Sequence, residues 1–163
     1  MTFGNDTTLL ELIHLMALEI ESLYELLKQE SQVLVDGDVE LIESLAASKQ
    51  SVVARINRLT VQQNDFFGAL NLPYGQEGLD AYMGQYMDSD SNMLELKSVW
   101  KKITQQLEES QVLNEANGAC IELMNRHTER SLEIIRGGPS EEFTYGSNGI
   151  KQQTSNTRPV ATV

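Results

Sequence analysis

Positive charge is scarce in this chain: 12 Lys and Arg stand against 24 Asp and Glu, a formal net charge of −12 over 163 residues. Without a basic patch there is no counter-charge for a phosphate backbone, so nucleic acid is not an expected partner, and neither is an anionic membrane surface. The single cysteine, Cys120, excludes an internal disulfide framework and an all-thiolate zinc site. Aromatics are 6% of residues and prolines number three, and β-branched or aromatic runs are few, which argues against a β-sandwich or barrel. No apolar run approaches the ~20 residues of a membrane span. The opening residues Met1 to Asp6 hold neither a basic nor an apolar stretch. No secretory signal is therefore expected, the Asn5-Asp6-Thr7 sequon carries no meaning, and the expected location is the cytoplasm.

What the chain does have is heptad spacing. Leu9, Ile13, Met16, Ile20, Leu23 and Leu27 alternate steps of four and three, Glu30 interrupts the series and Leu34 resumes it. Thr8 and Glu11 read as a capping box at the start of this segment. Asp36-Gly37-Asp38 ends it, with Gly37 free to take a positive φ and Asp38 able to cap the next helix. A second seam holds Ile42, Leu45, Val52, Ile56, Leu59, Phe66 and Leu70, with Lys49 and Gln63 in its gaps. Two long seams joined by so short a connection predict an antiparallel helical hairpin. Residues 71–90 turn to glycine, tyrosine and acid and predict a loop with one short helix near 78–87, long enough to run along the hairpin or cap its end. A third long segment opens at Asn92 and carries Leu96, Trp100, Ile103 and Leu107. It turns polar at Ser110, Asn114 and Asn117, recovers at Ile121 and Met124, and stops at Gly137-Gly138-Pro139.

The expected fold is all-α: an elongated antiparallel hairpin plus a long third helix, a coiled-coil-like three-helix bundle. The predicted helices run over about 8–35, 39–70, 78–87 and 92–136, forming one domain over 1–137. The tail, 138–163, is polar and aperiodic and is expected to be disordered. The third helix carries a second apolar face, Leu113, Cys120, Leu123 and Ile134, which must be buried or offered to a partner.

No constellation assembles an active site. Glu11-x-x-His14 matches half of a di-iron helical motif, but Met124 stands where the partner motif before His127 needs an acid. Asp36-Gly37-Asp38-Val39-Glu40 imitates a calcium loop, but Leu41 and Ala47 occupy the positions that need Gly and Glu. Cys120 and His127 lie two helical turns apart with no oxyanion loop. No phosphate-binding glycine motif occurs. No catalytic, cofactor or metal residues are expected. Asn114, Asn117 and Gly118 are poor helix-interior residues and leave two readings open, a register device within the fold or a groove that another chain approaches. Tyr145, between polar and glycine residues, reads either as a plain tail residue or as a short docking motif.

Taken together, the leucine-rich first helix, the Gly37-Asp38 turn, Lys49 and Arg58, Asn114-x-x-Asn117-Gly118 and Tyr145-Gly146-x-x-Gly149 resemble the FlgN family of flagellar type III export chaperones. The resemblance implies a cytoplasmic, non-enzymatic chaperone that binds hook–filament junction proteins through their helical C-terminal regions and delivers them to the cytosolic domain of the export gate. It implies cargo binding on the later part of the last helix, here Leu113, Asn114, Asn117, Gly118, Cys120, Leu123 and Met124. Gate docking is implied at Tyr145, with Gly146 and Gly149 beside it. Self-association stays open. The rival classes are a structural coiled-coil adaptor, which would share the heptads without needing the tail motif, and a di-metal bundle enzyme.

Overall fold

A computed structural model describes residues 3–86, 90–136, 143–145 and 151–153. Four helices follow one another: α1 (Phe3–Asp36), α2 (Val39–Ala69), α3 (Gly75–Tyr86) and α4 (Asp90–Ile135). Two three-residue strands, β1 (Phe143–Tyr145) and β2 (Lys151–Gln153), pair antiparallel with Tyr145 opposite Lys151. The chain divides into two compact units, residues 1–120 and 121–163, although α4 itself runs through the division.

The α1–α2 turn forms as its residues dictate. Gly37 takes φ 72°, and the Asp38 carboxylate accepts the Leu41 amide at 3.1 Å as the cap of α2. Helix α1 begins at Phe3 rather than at Thr8, so the expected capping box lies inside the helix and does not start it. Helix α3 begins at Gly75, three residues earlier than the spacing predicts, and Gly75 takes φ 71°. Of the expected unstructured tail, only the six residues of β1 and β2 are described; the remaining residues lie outside the described ones.

Within residues 1–120, ion pairs give the helix directions. Arg55 meets Glu19 at 2.8 Å and Lys49 meets Glu30 at 2.9 Å, so α2 runs antiparallel to α1. Glu95 meets His14 at 3.0 Å and Lys102 meets Glu21 at 3.2 Å, so α4 runs parallel to α1. Leu9, Ile13, Met16 and Ile20 of α1 form the core with Phe67 of α2, Leu79, Tyr82 and Met83 of α3, and Leu96 and Ile103 of α4. Of the two paths open to residues 71–90, α3 takes the cap: its apolar face closes the end where α1 begins and α2 finishes. Tyr82 meets Phe66 edge-on at 5.4 Å and stacks on Tyr86 at the same distance. Phe67, not Phe66, is the fully buried ring of α2, because the seam steps by four from the buried Gln63. Gly78 sits where α3 crosses the chain before it, and a Cβ there would fall on the Pro73 carbonyl.

Helix α4 is held differently from the other two long helices. Its buried positions over this span are Leu96, Ile103, Ser110 and Asn117, one in every seven. Of the alternate seam positions, Trp100 is half-buried against the core, while Leu107 and Asn114 are exposed. A helix that buries one heptad position rests on a narrow stripe and leaves a groove along its flank.

Candidate functional site

Three features of α4 bear on function. The first is a buried polar clamp. Glu30, 2% exposed, interrupts the apolar seam of α1. An unpaired carboxylate in such a place would carry a large desolvation cost. Here Lys49 Nζ donates to both of its oxygens at 2.9 Å. Asn117 Nδ2 donates to Glu30 Oε2 at 2.9 Å and to the Leu27 carbonyl at 3.0 Å. The Ser31 hydroxyl donates to Asn117 Oδ1 at 2.6 Å. Asn117 therefore has both ends of its amide engaged, and α4 is locked in register against α1 and α2 at one point. Lys49 also approaches Asn114 Oδ1 at 3.4 Å.

Of the two readings left open for Asn117, the structure favours the register device. Expected on a cargo groove, Asn117 is instead buried inside the chain's own helices. Gly118 is exposed, and a Cβ on it would meet nothing within 4 Å, so no close approach within this chain requires glycine there. Asn114 is exposed, while Leu113 and Cys120 are half-buried.

The second feature is the end of α4. From Ile121 to Arg136 no residue is buried. Leu123 is 61% exposed, Ile134 70% and Ile135 79%, and Leu132 is exposed as well; Met124 is half-buried. At 3.6 residues per turn, Cys120, Ile121, Leu123, Met124, Leu132, Ile134 and Ile135 fall on one half of the helix. Glu122, Arg126, Glu129, Arg130, Glu133 and Arg136 fall on the other, with Arg126 paired to Glu122 at 3.4 Å. His127, Thr128 and Ser131 fall among these apolar residues, Leu123 and Leu132 lie on opposite sides of the helix, and Leu123 and Ile134 lie within about 20° of each other, so the exposed aliphatic side chains form short stretches rather than one apolar half. The charged stripe at 122, 126, 129, 133 and 136, stepping by four and three, is the signal in the sequence that marks the solvated side.

The third feature, absent from the sequence reading, is a groove of about 710 Å3 within residues 1–120. Leu23 and Leu27 of α1 form its floor. Lys49, Gln50, Val53, Ala54 and Asn57 of α2 face Thr104, Leu107, Glu108, Gln111 and Asn114 of α4 across it. This is the flank left open by the narrow seating of α4.

The clusters weighed for chemistry are engaged elsewhere or apart. His14 bonds Glu95, and Asp38 is the α2 cap. Among the described residues no three of His, Cys, Asp and Glu lie together as a metal would need, and no helix is long and apolar enough to cross a membrane. Tyr145 closes β1; Gly146 and Gly149 lie outside the described residues.

Compared with known proteins, the chain matches the family model described as FlgN protein over residues 1–153, from the first residue to the end of β2. No curated protein and no solved structure matches it.

Proposed function

The chain belongs to the FlgN family, a family of flagellar export chaperones, and on that premise we propose that it binds hook–filament junction proteins by their helical C-terminal regions and hands them to the cytosolic domain of the export gate. The observation that carries this reading is the exposure of Leu123, Leu132, Ile134 and Ile135 on α4 beyond Cys120. Large aliphatic side chains left in water on one short stretch of helix are surface that a partner can cover. A partner's amphipathic helix fits such a face, meeting anchors spaced by three, four and seven residues. Leu123, with Leu113, Cys120 and Met124 beside it, supplies those anchors, and the unbranched Met124 can repack against related cargoes.

In this reading the clamp at Asn117 fixes the register of α4 within residues 1–120. Tyr145 docks the gate.

Calorimetry of a junction protein's helical C-terminal peptide against the wild type, Leu123→Asp and Tyr145→Ala tests this. Leu123→Asp should lose cargo affinity while Tyr145→Ala keeps it and loses gate binding. Undiminished cargo binding by a folded Leu123→Asp would place the cargo surface elsewhere.

A further inference from the structure

The groove between α2 and α4 has no occupant in the reading above. We propose that it receives residues 121–135 of a second copy, in a reciprocal dimer that covers the side of α4 carrying Leu123 and Ile134 while cargo is absent. The inference rests on reading that face as the cargo surface and adds a means of protecting it.

Length is the first argument. The α2 wall runs from Lys49 to Asn57 and the α4 wall from Thr104 to Asn114. At 1.5 Å per residue these are about 12 and 15 Å, between two and three turns of a docked helix. Leu123 and Ile134, on one side of the end of α4, are about 17 Å apart along the axis, about three turns. Chemistry is the second. Leu23, Leu27, Val53, Ala54 and Leu107 give the groove an apolar bottom and sides. Gln50, Asn57 and Gln111, with the charged Lys49 and Glu108, give it a polar rim.

Charge distribution is the third argument, and it selects this occupant. Residues 1–120 hold 19 Asp and Glu against seven Lys and Arg, so the whole acidic surplus of the chain lies there. Residues 121–136 hold three Glu and three Arg. A segment from that stretch meets the acidic unit without adding to its repulsion. Arg130, at the edge of the charged half and one heptad after Leu123, brings a cation to the groove beside Leu123, where Glu108 has no ion pair among the described residues. Two exposed apolar surfaces then leave the water in one contact. A single such contact would propagate head to tail into a filament, whereas reciprocal exchange about a two-fold axis closes as a dimer.

Sedimentation velocity of the full chain, from low to high micromolar, tests the proposal. The wild type should show a monomer–dimer equilibrium. Leu107→Asp in the groove and Leu123→Asp on the α4 end should each weaken dimerisation about tenfold or more, a change of about 1.4 kcal/mol or above. Both side chains are exposed, so the helical circular dichroism should be unchanged; Val53→Asp on the opposite wall replaces Leu107→Asp if that variant unfolds. An equimolar mixture of the two variants retains one intact groove and one intact segment. It should form a mixed dimer, weaker than the wild type and stronger than either variant alone. In the cargo calorimetry, Leu107→Asp should bind at least as well as the wild type, because it frees the face.

A wild type that stays monomeric throughout, a dimer indifferent to Leu107→Asp, or no mixed dimer overturns the proposal. So does a loss of cargo affinity in Leu107→Asp, which would assign the groove to cargo. Cargo binding that survives Leu123→Asp contradicts the functional reading instead, whatever the sedimentation result.

Discussion

Helix α4 carries one pattern through two environments. Between Leu96 and Asn117 every seventh residue is buried and the register is locked by a buried carboxylate, a lysine and an amide; between Ile121 and Ile135 the same helix still carries aliphatic side chains and buries none of them. Helical periodicity shows that a face is amphipathic, not that the chain itself covers it. The difference lies in what each stretch meets. The first finds Leu9 to Ile20 of α1, the α3 cap and the Glu30–Lys49 pair. The second has a balanced charged stripe on its polar half and no buried residue on the other. A chaperone helix has to be divided in this way, since a stretch that completes its own core has no apolar surface left for a client.

Truncations should expose the contrast most strongly. Leu96→Ala removes a fully buried side chain from the shared core and should cost about 2–5 kcal/mol in denaturant unfolding. Ile134→Ala, on an exposed turn of the same helix, should stay within about 0.5 kcal/mol of the wild type. Equal costs would erase the distinction between the two stretches.

Lys49→Ala comes next. It strips Glu30 of its counter-charge and leaves a carboxylate inside the helices with one amide donor. The expected loss is about 3 kcal/mol, the low end for breaking a buried pair, because the lysine side chain keeps 24% exposure. Asn117→Ala should cost about 1–3 kcal/mol, since it removes a donor from the buried Glu30 carboxylate, while the Ser31 hydroxyl and the Leu27 carbonyl keep each other as partners at 3.0 Å. Both are read by thermal or denaturant unfolding. A neutral Asn117→Ala would mean that register is held elsewhere along the Leu96–Ser110 stripe.

The smallest effect on stability belongs to Leu123→Asp, expected within about 0.5 kcal/mol because the side chain already faces solvent. Its effect on cargo affinity should be the largest of the set, about a hundredfold, since a buried charge against an apolar helix costs several kcal/mol. The comparison is sharpened by that inversion: variants before Asn117 change folding, and variants after Cys120 change binding.

Much of this arrangement is legible in the chain. The three long helices, the Gly37–Asp38 turn and the helical stop near residue 136 follow from spacing and caps, which are local. The start of α1 is not, because Thr8 and Glu11 have cap chemistry wherever they stand, and a helix already running from Phe3 does not need it. Glu30 and Lys49 are each visible as breaks in a seam, but their pairing depends on how two antiparallel helices align. Opposite charges interrupting two seams on either side of one tight turn are the available signal. The clamp role of Asn117 is one of two readings open to the sequence, and burial favours it. The groove is not legible, because it arises from α4 seating on every seventh residue, and that spacing is set by the neighbours rather than by α4.

Hydrogen exchange along α4, measured on the free chain at low concentration and again with a saturating helical C-terminal peptide of a junction protein, tests the division of this helix most directly. The expected result is slow exchange at residues 96–117 in both states, with fast exchange at 121–135 that becomes protected when the peptide binds. Protection that falls on residues 96–117 or on α2 while 121–135 stays fast would contradict the central claim that the end of α4 is the client surface.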